Sequence, residues 1–153
     1  MAALWSPNTG IVDSHQLVRS LDQAAVEAGA TIALGHRYRS AEPSGRGFVV
    51  RCLDPRGQEL LVQSRIVVNA AGLDADLVAQ SVGIDVTAAG YRQTFVKGSY
   101  CRLAEGSGPR IRHLVYPVPH QGLTGLGVHA TVDIAGGVRF GPDVEFLEGR
   151  TAD

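Results

Sequence analysis

Arg65-Ile66-Val67-Val68-Asn69-Ala70-Ala71-Gly72 is the stretch on which the fold turns. Ile66, Val67 and Val68 are β-branched, so the segment from Arg65 to Asn69 predicts a buried strand. Ala70, Ala71 and Gly72 then follow, and small residues at a strand end let backbone approach a bulky ligand such as a dinucleotide. Asp74 to Val82 has a helical pattern, and Gly83 stands where that helix would stop. Strand, small-residue turn and helix is the order of an α/β nucleotide-binding unit. A tight turn against a packed neighbour would use the same three residues, and this stretch alone does not choose between the two.

Upstream, the sequence predicts a helix and then antiparallel strands. Asp13 stands three residues before Gln16, the spacing of a capping box. Leu17, Leu21, Ala24, Ala25 and Ala28 recur at steps of three and four, so a helix over Ser14 to Ala28 would turn one apolar stripe toward a sheet, with Gly29 at its end. Thr31 to Leu34 reads as a short apolar strand. Tyr38 to Glu42 and Gly47 to Leu53 read as a hairpin with Pro43-Ser44-Gly45 as its turn. Asp54-Pro55-Arg56-Gly57 has the residue order of a type I turn and leads into a strand over Glu59 to Gln63.

Downstream of Gly90 the texture becomes β-rich. Arg92 to Leu103, Arg110 to Val118, Gly125 to Asp133 and Gly137 to Gly141 are short runs separated by Gly or Pro turns, as in an antiparallel sheet. The sequence has no tandem repeat and no long linker, so interleaved domains are expected.

Composition offers no charged field to a partner. Fourteen basic and fifteen acidic residues leave a formal net charge of -1, with no basic run, which argues against nucleic acid or an anionic membrane surface. Cys52 and Cys101 have no C-x-x-C spacing and no nearby His cluster, so reduced thiols fit better than a disulfide and no metal site is expected. No window approaches eighteen consecutive apolar residues and Met1 to Pro7 lacks the pattern of a signal peptide, so a cytoplasmic chain without an integral membrane segment is expected. Met1 runs directly into a patterned segment and Glu148 to Asp153 is an abrupt polar tail, as at the ends of a piece cut from a larger chain.

Several further segments accompany Asn69 to Gly72: Ser6-Pro7-Asn8-Thr9-Gly10-Ile11-Val12-Asp13, Phe95-Val96-Lys97-Gly98-Ser99-Tyr100, Tyr116-Pro117-Val118-Pro119, Gly127-Val128-His129 and Phe140-Gly141-Pro142-Asp143. In this order and at these separations they resemble the D-amino acid oxidase family of flavoproteins, most closely its L-2-hydroxyglutarate oxidase or dehydrogenase branch, from about Ser6 to Glu145. The resemblance implies a mixed α/β and α+β architecture, in which a Rossmann-like FAD domain is interleaved with a substrate domain built on an antiparallel sheet. Residues 1–89 would be part of the FAD domain, with a hairpin insertion over about 36–63. Residues 90–153 would be part of the substrate domain.

By the same resemblance, Asn69, Ala70, Ala71 and Gly72 match a flavin-contacting turn, and the strand ending at Leu34 matches a segment beside the adenine end of FAD. Lys97, Gly98 and Tyr100 match a strand returning toward the flavin ring. Tyr116, Pro117, Val118, His129, Gly141 and Pro142 match substrate-domain strands near it. Oxidation of a 2-hydroxy acid needs an acceptor for the hydroxyl proton, and an imidazole titrating near neutrality suits that task, which makes His129 the first candidate base. A hydrogen-bonded histidine within a sheet is the plainer alternative. Lys97 or Arg110 would hold a substrate carboxylate, or stand as an exposed ion-paired cation. Tyr116 would offer its hydroxyl to the substrate or pack over the adjacent prolines.

Two features of such an enzyme are not in this sequence. No Gly-x-Gly-x-x-Gly turn follows a strand and opens a helix, where FAD pyrophosphate would sit. Gly122, Gly125 and Gly127, and the pair Gly136 and Gly137, read instead as hairpin turns. The family's C-terminal glycine-rich flavin loop is missing as well. The expectation is an internal piece with little or no turnover alone, whose bare strand edges favour self-association or a partner chain supplying the remainder. Oxidation of an amine, as in amino acid or glycine oxidation, and a non-catalytic module that docks on a partner are the alternatives to a 2-hydroxy acid substrate.

Overall fold

The computed structural model describes residues 3–104, 106, 111–118 and 127–150. It divides into two compact units, Ala30–Gln93 and a second made of Met1–Gly29 with Thr94–Asp153.

In the second unit the chain enters helix α1 (Ser14–Glu27) through the expected cap. Asp13 Oδ1 accepts the backbone N–H groups of His15 and Gln16, both at 3.0 Å, which satisfies two of the free first-turn donors. Gly29, at a φ of 90°, closes the helix. The apolar stripe is present but no α1 residue is buried, and Leu17, Val18 and Leu21 are about half exposed.

The Ala30–Gln93 unit is built on a meander of β1 (Arg37–Ser44), β2 (Gly47–Leu53) and β3 (Glu59–Ser64), antiparallel in the order β1-β2-β3. The type I turn forms as expected: Gly57 N–H donates to the Asp54 carbonyl at 2.9 Å, and Asp54 Oδ1 accepts from Arg56 and Gln58 at 2.8 Å each. A 3-10 turn (Gly72–Asp74) then leads into α2 (Ala75–Ser81). The Tyr38 hydroxyl meets Ser81 Oγ at 2.7 Å and ties β1 to α2.

Three expectations are corrected here. Pro43 and Ser44 belong to β1, and the turn is Gly45–Arg46. Pro43 is tolerated because β1 lies at the sheet edge, where a missing N–H need not leave a ladder bond unmade. Thr31 to Leu34 forms no strand and ends in a turn at Leu34, whose side chain is 81% exposed. Arg65 to Asn69 likewise makes no ladder, and Val68 is 82% exposed. A strand exists only through a hydrogen-bonded neighbour, and among the described residues neither segment has one.

The remaining strands are short. β4 (Phe95–Lys97) pairs with β8 (Glu145–Leu147), while β5 (Cys101–Arg102), β6 (His129–Val132) and β7 (Val138–Gly141) form a sheet in the order β5-β7-β6. The single run expected over Arg92 to Leu103 is thus divided between two sheets. Every strand pair among the described residues is antiparallel. Val115 adds one antiparallel bridge to Ala130, on the β6 edge away from β7. Among the described residues, buried apolar side chains are few, namely Ala41, Val86, Ala130 and Val138, so a buried polar group stands out. Cys52 and Cys101 are free thiols. Among the described residues no helix is long and apolar enough to cross a membrane.

Candidate functional site

The residues named from sequence fall into two groups. In the Ala30–Gln93 unit, Asn69 staples the small-residue turn from both ends of its amide. Its Oδ1 accepts the Ala71 N–H at 3.3 Å and its Nδ2 donates to the Ala75 carbonyl at 2.8 Å, joining the turn to the start of α2. Gly72 has a φ of 57°, and a Cβ there would meet nothing within 4 Å, so the turn presents bare, open backbone.

Gln93 was not singled out from sequence, yet its Nε2 donates to the Gly72 carbonyl at 3.0 Å from 21 residues away. No local pattern announces such a contact. Gln93 Oε1 is buried and has no hydrogen-bond partner among the described residues, an unused acceptor in a side chain that braces this turn. Open backbone on Asn69 to Gly72 and a spare acceptor on Gln93 fit a large polar cofactor. Leu34 lies on a separate turn of the same unit, with its carbonyl 3.1 Å from His36 Nδ1.

In the other unit the register assembles the second group. His129 pairs with Gly141, and Val115 bridges Ala130, so Tyr116 runs alongside His129 on the bridged segment. The His129 side chain is 93% buried, while Tyr116 remains half exposed. The two rings lie 4.8 Å apart, tilted by 32°. His129 Nδ1 is 2.9 Å from the Gly127 carbonyl oxygen. A carbonyl only accepts, so Nδ1 carries the proton in that bond, and in the neutral ring the lone pair is then on Nε2. Among the described residues Nε2 makes no hydrogen bond. A buried imidazole with one nitrogen tied and the other open as an acceptor is equipped to take a proton.

Lys97 stands elsewhere, at the end of β4 opposite Glu145. Arg110, Pro119, Gly122 and Gly125 lie outside the described residues. Among the described residues no group of three or more His, Cys, Asp or Glu side chains is placed to hold a metal ion. A cavity of about 360 Å³ opens at the β1–β2 turn, lined by Arg46, Phe48, Gln63 and Arg65 among others, and shares no residue with either group.

A family model described as FAD dependent oxidoreductase matches residues 1–153. The chain belongs to this family. Among its relatives are proteins named L-2-hydroxyglutarate dehydrogenase: a mitochondrial protein of Arabidopsis thaliana, 32% identical over 95% of this chain and 35% of its own length; a protein of Indibacter alkaliphilus, 29% identical over 94% and 34%; and a mitochondrial protein of Homo sapiens, 29% identical over 94% and 32%. The chain therefore spans about a third of the length of the curated relatives it matches. Membership implies the FAD-binding, Rossmann-like fold of the family.

Proposed function

We propose that this chain is part of an FAD-dependent oxidoreductase that converts a 2-hydroxy acid resembling L-2-hydroxyglutarate into the 2-oxo acid, with His129 as the base. The observation that carries the reading is the buried His129 ring, held at Nδ1 by Gly127 and open at Nε2. The names of the relatives support the substrate class. FAD, when bound, supplies the two-electron acceptor for the hydride that leaves the substrate carbon. Asn69, Ala70, Ala71 and Gly72 would hold it through their open backbone, and the bare Leu34 side chain would lie toward its adenine end. Nε2 of His129 takes the hydroxyl proton. Tyr116 packs on that ring, and Lys97 supplies the fixed charge for a substrate carboxylate.

In this reading the Ala30–Gln93 unit belongs to the FAD domain and the strands after Thr94 to a substrate domain interleaved with it. Two free thiols suit a reducing compartment such as the cytoplasm. The experiment is His129→Gln in the protein at its natural length, assayed with L-2-hydroxyglutarate and an artificial electron acceptor. Turnover is expected to fall about 10²–10⁴-fold while the visible absorbance of bound flavin is retained. Unchanged turnover would remove His129 from the chemistry. Preferential oxidation of an amine such as glycine would replace the hydroxy acid with an amine.

A further inference from the structure

Tyr100 just before β5, Gly141 on β7, His129 on β6 and Tyr116 beside the Val115 bridge form one row across the sheet. Cys101 pairs with Phe140, so the residue before it, Tyr100, lies opposite Gly141; Gly141 in turn pairs with His129, and Tyr116 flanks His129 on the far side. Directly opposed residues of antiparallel strands put their side chains on the same face. One strand, β7, lies between Tyr100 and His129, so two strand spacings, roughly 10 Å, separate their backbones. Their ring centroids are nevertheless only 6.0 Å apart, at 75°.

The contact exists because position 141 has no side chain. A Cβ there would lie 2.8 Å from Tyr100 Cδ1, 3.0 Å from its Cγ and 2.7 Å from the Ser99 carbonyl oxygen. Gly141 also has a φ of 146°, a conformation L side chains rarely adopt. The Tyr100 ring therefore crosses over the glycine and sets its edge contact against the imidazole.

We propose that Tyr100 and Gly141 are positioning residues for His129: with Tyr116 lying tilted against one side of the imidazole and Tyr100 meeting it edge-on across Gly141, the ring keeps one rotation and Nε2 one direction. Three independent contacts restrain it, namely the Gly127 carbonyl at Nδ1, the tilted ring of Tyr116 and the edge contact of Tyr100. Ring pairs at such separations favour offset or edge-to-face geometry, so the two tyrosines oppose rotation of the imidazole about its Cβ–Cγ bond. The Tyr100 hydroxyl has no part in this arrangement; the ring has. The inference rests on the proposed role of His129 for its effect on turnover, and on the geometry alone for its effect on the ring.

The test uses Tyr100→Leu, Tyr100→Phe and Gly141→Ala in the protein at its natural length, with two readouts. Nitrogen NMR of the His129 ring reports tautomer and orientation without any turnover. Tyr100→Leu and Gly141→Ala are expected to shift and broaden its signals, whereas Tyr100→Phe keeps them. In the proposed 2-hydroxy acid assay, Tyr100→Leu is expected to lower kcat on the order of 10-fold or more with KM little changed, as misplacing a reacting group does, and Tyr100→Phe to restore it. Ring signals unaltered in Tyr100→Leu would overturn the inference whatever the substrate proves to be. A Tyr100→Phe loss as large as that of Tyr100→Leu would also overturn it, because the hydroxyl would then be the group that matters. If His129→Gln leaves turnover intact while Tyr100→Leu still disturbs the ring, the base assignment fails and the positioning contact stands.

Discussion

The β1–β2–β3 meander and the β5–β7–β6 sheet are both three-stranded and antiparallel, yet they differ in where their partners come from. In the meander each strand pairs with its sequence neighbour through a two-residue or five-residue connection, giving ladders of six or seven paired positions. In the other sheet, β5 pairs with a strand almost forty residues away and contributes two residues. The meander carries no candidate catalytic group, and the assembled sheet carries His129. Local pairing yields a robust scaffold, whereas distant pairing brings together side chains that no turn could place side by side.

The difference can be broken most severely at Gly47, the first residue of β2. A Cβ there would collide with the Ser64 carbonyl oxygen and lie 3.0 Å from Arg65 Cα, both backbone atoms that cannot swing aside. Gly47→Ala is expected to cost about 1–3 kcal/mol and to speed amide exchange across β2 and β3 while leaving β6 and β7 unaffected. Uniform exchange changes in both sheets would contradict the independence of the two sheets. Gly137→Ala, beside β7, provides the counterpart. Its Cβ would meet Asp133 Oδ2 at 2.6 Å and Arg102 Nη2 at 3.0 Å, the ends of flexible side chains, so the strain is relieved by rotation. What is lost is part of the 2.7 Å bond from Gly137 N–H to Asp133 Oδ1, for a cost of about 1 kcal/mol in chemical denaturation. The smallest effect is expected at Arg51, which reaches Glu42 at 3.6 Å and Glu59 at 3.4 Å from the centre of the meander. All three side chains are more than a third exposed, so Arg51→Ala should change stability by less than about 1 kcal/mol, and less again in high salt.

The same contrast explains what could be read beforehand. Asp13 as a helix cap and Asp54-Pro55-Arg56-Gly57 as a turn are written within four or five residues, and both form as the sequence predicts. Pro43 misled because a proline reads as punctuation unless its strand is known to be an edge, and edges are a property of the sheet. Arg65 to Asn69 carries the composition of a strand but not its neighbour. His129 was visible as a polar residue in an apolar run. Its tie to Gly127 is local, whereas its contacts with Tyr116 and Tyr100 depend on a register that residue order does not state. Gln93 was invisible for the same reason.

The bare Cα at position 141 also has a history to impose. Because Tyr100 reaches His129 only across that gap, changes at the two positions are not independent, and their effects should combine less than additively. A lineage that fills position 141 has already displaced the aromatic edge, so position 100 is then free to drift. Restoring the pair requires an ordered return, glycine first and the aromatic second, since an aromatic gained before the glycine has nowhere to lie. One absent methyl group thus acts as a ratchet on the order in which this face of the sheet can be lost and regained.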